Sequence, residues 1–168
     1  MEGKIQMKII HRAIFGIIIA IALTSSAIAV DIETLDRVSV LMPKSKVRLL
    51  IGNPDQYVYV GNLEVELYQL RNMNTLIGTA CIYEDKERLV EQIFFFDGKG
   101  YNIAVERLIK NGYTLLEAKE SSSSLTGKDD DTGQPLMAFI FENNGMTVVM
   151  TFEKGFYDRK IRQMGKKN

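Results

Sequence analysis

Carboxylates, tyrosines, lysines and serines carry almost all the reactive chemistry in this 168-residue chain, which holds one histidine, His11, and one cysteine, Cys81. His11 lies in an N-terminal stretch with the marks of a leader. The remainder therefore lacks material for a Ser-His-Asp or Cys-His centre, a neutral-pH proton shuttle or an imidazole zinc site. Cys81 sits in the apolar run Leu76-Ile77-Gly78-Thr79-Ala80-Cys81-Ile82, where a buried, inert thiol is expected. No Walker loop, no G-x-G-x-x-G fingerprint and no G-x-S-x-G elbow occurs.

Two groups of residues have spacings that could recognise something. Between Gln56 and Leu70 the residues alternate, so that Tyr57, Tyr59, Glu64, Glu66 and Tyr68 share one face of a hairpin. Rigid aromatic rings with polar tips suit a binding surface; the bland alternatives are a solvated sheet face or tyrosines covered by a helix. The second group, Asp129, Asp130 and Asp131 before Thr132-Gly133-Gln134, gathers hard oxygen ligands of the kind calcium takes. Its glycine comes one position early for an EF-hand loop and no glutamate stands at the bidentate position, so an acidic loop without metal is expected. No cofactor is expected.

These residues need elements to hold them. A helix is predicted over Lys44 to Ile51, with Val47, Leu50 and Ile51 on one face, Gly52 as its stop and Pro54 beyond. A second is predicted over Asn102 to Asn111, with Val105, Leu108 and Ile109 as its stripe and Gly112 as its stop. A further helical turn is expected around Ile32 to Arg37. Strands follow each helix: Gln56–Val60 and Leu63–Leu70 around Gly61-Asn62, Leu76–Tyr83 and Leu89–Phe96, then Tyr113–Lys119, Met137–Asn143 and Met146–Phe152. In the last hairpin, a type I′ turn at Asn144-Gly145 sets Met137 opposite Phe152, Phe139 opposite Met150 and Phe141 opposite Val148. Residues 120–135, rich in serine, aspartate and glycine, read as a mobile loop, and the basic tail from Lys154 as a fraying end. The fold class expected is α+β, short helices on antiparallel meanders, with two αβββ-like repeats as one option.

The first 29 residues carry a different signal. Lys4, Lys8 and Arg12 precede the apolar run Ala13–Leu23, beyond which stands Ala27-Ile28-Ala29. That is the order of a secretory leader, with cleavage expected after Ala29. The alternative is an uncleaved N-terminal membrane anchor, which eleven apolar residues are too short to span. The mature chain, residues 30–168, is long enough for a single exported domain, periplasmic or secreted. Removing Lys4, Lys8, Arg12 and Glu2 leaves two more acids than bases, so nucleic acid is not an expected partner. A lone cysteine offers no internal disulfide.

The run Val47-Arg48-Leu49-Leu50-Ile51-Gly52-Asn53-Pro54-Asp55, followed by Tyr57-Val58-Tyr59-Val60, resembles the start of the BamE/SmpA outer-membrane assembly family and the wider β-lactamase-inhibitor-protein-like superfamily. The resemblance covers about residues 41–96. It departs where that family has Gly-Met-Ser/Thr before the helix, since Leu41-Met42-Pro43 stands here, and where BamE carries a lipid on cysteine. It implies a non-catalytic module that binds proteins or lipid headgroups in the cell envelope. From the residues themselves the expected function is likewise binding: an adaptor, assembly factor or inhibitor with a protein partner in the envelope. The alternatives are a carboxylate-dependent small hydrolase and a structural subunit of an envelope complex. Arg159, Lys160, Arg162, Lys166 and Lys167 offer a peripheral contact to an anionic membrane; oligomeric state is left open.

Overall fold

The computed structural model describes residues 38–61, 63–69, 76–85, 87–97 and 100–165. The leader, its anchor alternative, the turn expected around Ile32 to Arg37, and Lys166 and Lys167 lie outside them. Helix α1, Lys44–Ile51, is followed by strands β1 (Gln56–Val60), β2 (Leu63–Gln69), β3 (Leu76–Glu84) and β4 (Arg88–Asp97). Helix α2, Tyr101–Lys110, is followed by β5 (Thr114–Lys119), β6 (Ser122–Lys128), β7 (Pro135–Asn143) and β8 (Met146–Glu153), and helix α3, Lys154–Gly165, closes the chain.

All eight strands join one antiparallel sheet in the order β1-β2-β3-β4-β8-β7-β6-β5. Two four-stranded meanders thus run outward from a central seam in which β4 pairs with β8, Ile93 opposite Met150 and Phe95 opposite Val148. Strand dominates, and α1 and α2 are each followed by four strands rather than three. The strand missing from the sequence reading is β6, inside the expected mobile loop: only Leu125 in Ser-Ser-Ser-Leu-Thr-Gly-Lys is a large apolar residue, so no apolar period of two exists there. It forms because both neighbours supply partners, Thr126 lying opposite Met137 of β7 and Thr114 of β5. The expected fraying tail is also corrected. Phe156 is buried and Tyr157 rests against Phe139 and Phe152, so two rings fix α3 to β7 and β8.

The pleat sorts the core into two layers. Phe94 and Phe96 of β4 touch both the cluster under α1, with Val47, Ile51, Tyr68, Cys81, Tyr83 and Leu89, and the cluster under α2, with Ala104, Leu125, Ala138, Ile140 and Val149. Both helices therefore lie on one face. The other face holds Leu63, Val65, Leu67, Ala80, Ile82, Ile93, Phe95, Val148, Met150 and Phe152, joined by Phe156 of α3. The closing hairpin has the expected register, and Asn144 and Gly145 take φ of 51° and 77°, the left-handed pair that a type I′ turn requires. On β6, the Tyr113 ring lies so near Gly127 that a Cβ there would meet its Cδ1 at 2.8 Å.

Candidate functional site

Lys44 and Arg48 stand one helical turn apart on α1, and Glu64 and Glu66 stand two residues apart on β2, so each pair projects from one side of its element. The two spacings match, and the pairs meet. Lys44 Nζ lies 2.5 Å from Glu64 Oε1 and 3.3 Å from Glu66 Oε1. Arg48 donates from Nε to Glu66 Oε1 at 2.9 Å and from Nη2 to the same oxygen. The second oxygen of Glu66 accepts from the Tyr68 hydroxyl at 2.6 Å.

Glu66 is fully buried, yet it is held in the ionised form. Desolvation pushes its carboxyl up, but the hydrogen bonds from Arg48 and Tyr68 and the charge of Lys44 outweigh that and bring it below the ordinary carboxylate range. Deeper under α1, burial first, and then the neighbouring Glu66 charge, push the Cys81 thiol up, while burial raises the Tyr68 and Tyr83 hydroxyls. The thiol is thus neutral and inert, as its apolar setting implied. Lys44 also lies over the Tyr83 ring, 5.5 Å from its centre.

The five residues expected to share a binding face do share it, since Tyr57 lies opposite Glu66 and Tyr59 opposite Glu64. They do not form one surface. Helix α1 covers Glu64, Glu66 and Tyr68, which are buried, whereas Tyr57 and Tyr59 on the outermost strand are 63% and 56% exposed, with their rings edge to face at 6.2 Å. Only the two β1 tyrosines remain as contact surface. Lys44 and Arg48 were missed as partners of the carboxylates. The signal was present in the sequence: like charges four apart on a helix repel unless an opposite charge faces them.

The acidic segment resolves into a turn. Asp129 is buried, and its Oδ1 accepts from the Thr132 backbone at 2.8 Å and from the Thr132 hydroxyl at 2.6 Å, while Asp130 and Asp131 point outward. Among the described residues no group of three or more acidic, cysteine or histidine side chains is gathered as a cation would need. One other carboxyl is unusual: Glu91 on β4, buried on the opposite face, is pushed up to about 8 by burial, partly offset by the charge of Lys160. It lies opposite Phe152 of β8 and Ile82 of β3, and no second carboxyl is registered across from it.

Among the basic residues of the tail, Arg159 pairs with Glu84 at 2.7 Å and Glu153 at 3.8 Å, and Lys160 lies over the Phe156 ring. Arg162 is exposed. No helix among the described residues is long and apolar enough to cross a membrane. Comparisons with protein-family models, with curated proteins and with solved structures find no match.

Proposed function

We propose that this chain is a non-catalytic binding or assembly module of the cell envelope, exported after cleavage near Ala29 and acting through protein–protein contacts at the β1 end of its sheet. One observation carries the reading: the cations, carboxylates and hydroxyl that could have built a reactive centre, Lys44, Arg48, Glu64, Glu66 and Tyr68, are consumed in pairs beneath α1. Acid catalysis by carboxylates calls for one acid held neutral beside one held ionised. Here Glu66 is ionised and clamped, and Glu91, the raised carboxyl, belongs to the other face of the sheet.

What the same arrangement leaves at the surface is Tyr57 and Tyr59, aromatic and uncharged, on a strand that has β2 as its one neighbour among the described residues. Aromatic residues of this kind are enriched where proteins meet. The resemblance of residues 41–96 to the BamE/SmpA family points the same way, as does a plan of two helix-plus-meander units. A structural subunit of an envelope complex would use the same surface.

The test is crosslinking in producing cells from a photoreactive group at position 57. A discrete adduct with an envelope protein, lost when Tyr59→Ser is added and kept when Asp130→Asn is added, is expected. Turnover of an ester, amide or glycoside by the purified protein, abolished by Glu66→Gln at a temperature where that variant is folded, overturns the proposal.

A further inference from the structure

The two edges of the sheet are not equivalent. At one end β5 carries an extra residue, Leu116, between Leu115 opposite Leu125 and Glu117 opposite Ser124, and it bears the charges of Glu117 and Lys119. Bulges and charges are the devices by which natural sheets discourage further strands. At the other end β1, Gln56-Tyr57-Val58-Tyr59-Val60, pairs with β2 without a register shift and has neither charge nor proline. Its flanking charge, Asp55, is exposed but engaged on the β2 side, accepting from the Gln69 backbone at 2.7 Å.

The β1 sequence is also nearly self-complementary. Laid antiparallel against a second β1 about Val58, it sets Tyr57 opposite Tyr59 of the other copy twice over, Val58 opposite Val58, and Asp55 opposite Gly61. The tyrosines fall on the helix-bearing face and the valine on the other, because the pleat already separates them. Four rings then form one cluster and no like charges face each other, which is the charge match that an antiparallel strand pair needs.

Resting on the reading that this chain acts through surface contacts, we infer that β1 is a homodimerisation edge: two copies join β1 to β1 about a two-fold axis through Val58, making one continuous sixteen-stranded sheet. Such a contact is isologous, so it closes at two copies. A β1-to-β5 contact would propagate into a fibre, and the bulge and charges of β5 oppose it. A five-residue strand with four rings makes an interface smaller than the standard size, so the dimer dissociates in roughly the micromolar range.

Sedimentation of the protein as cells deliver it, from about 1 to 300 μM, is the measurement, with two double variants fixing the register. Tyr57→Lys with Tyr59→Lys places like charges across the axis and is expected to weaken the dimer at least about tenfold. Tyr57→Lys with Tyr59→Glu places opposite charges across the same axis and restores association to within about tenfold of the parent. Both altered positions are exposed, and circular dichroism with thermal melting checks that each variant is folded. A parent chain that stays monomeric throughout, or a dimer indifferent to the double-lysine change, or one equally weakened by both variants, overturns the inference. A monomer that still gives a heterologous envelope adduct from position 57 ends the dimer alone, whereas acid-dependent turnover ends the binding reading and leaves the dimer standing.

Discussion

The Tyr68 hydroxyl donates to Glu66 Oε2 at 2.6 Å from the same face of the same strand, and Arg48 occupies the other oxygen of that carboxylate from the helix above. Glu66 thereby joins strand, helix and core. Val47 and Ile51 of α1 are buried beside it, so eight residues of helix too short to persist alone are docked by two apolar side chains and two carboxylates, Glu66 and the Glu64 that pairs with Lys44.

Replacing Glu66 by Gln leaves Lys44 and Arg48 beside an uncharged amide and removes the ionic acceptor of Tyr68. Breaking a buried pair in this way costs about 3–5 kcal/mol; with Arg48 partly exposed, about 2–3 kcal/mol is expected. Urea unfolding at pH 7 reads it. An unchanged midpoint would mean that α1 is held by its apolar residues and the Lys44–Glu64 pair without help from Glu66.

The two perturbed carboxyls have opposite pH signatures. Glu66, lowered in the fold from its ordinary 4.5, contributes stability that is present above that value and is lost as pH falls through the folded one. Glu91, raised from 4.5 to about 8, binds its proton more tightly in the fold, so stability is fully present below 4.5 and declines as pH rises to about 8. Glu91→Gln should therefore stabilise the protein by roughly 4 kcal/mol at pH 8 and leave it nearly unchanged at pH 4, seen in melting temperatures across that range. Equal shifts at both ends would remove Glu91 as the cause.

Gly127→Ala drives a Cβ into the Tyr113 ring. A cost of about 2 kcal/mol is expected, falling below about 1 kcal/mol in a Tyr113→Ala background, where the ring is gone. Additive costs in that cycle would place the strain in the backbone instead.

Cys81 reports on α1. Its thiol is buried and held neutral, so alkylation of the native protein should proceed only through opening. Arg48→Ala and Glu66→Gln are expected to speed labelling at least about tenfold in non-denaturing buffer, and Asp130→Asn to leave it unchanged, measured by intact mass. Rates alike in all three would show that α1 does not gate the thiol.

Much of the scaffold was legible because local signals agreed with the global fold. Lys44–Ile51 has the bounds its stripe and stops predict, and Asn144-Gly145 set both the turn and the partners of β7. β6 was not legible, because Ser122–Lys128 becomes a strand through its neighbours rather than its composition. α3 was missed for a related reason: Phe156 and Tyr157 are two apolar residues in a basic run, and their target, Phe139 and Phe152, lies elsewhere in the sequence. The candidate site was half legible. Parity assigned Tyr57, Tyr59, Glu64, Glu66 and Tyr68 to one face, but which of them meets solvent depends on where α1 lands, a contact spanning 18 to 20 residues.

The seam between β4 and β8 has a consequence for how the molecule is made. Synthesis delivers the amino-terminal half first, and the inner flank of that half, Glu91–Asp97 with three consecutive phenylalanines, receives its mate only when Met146–Phe152 emerges. Until then the half-built chain offers an aromatic ribbon to any passing polypeptide, so nonsense truncations ahead of Met146 should precipitate rather than accumulate as smaller folded products.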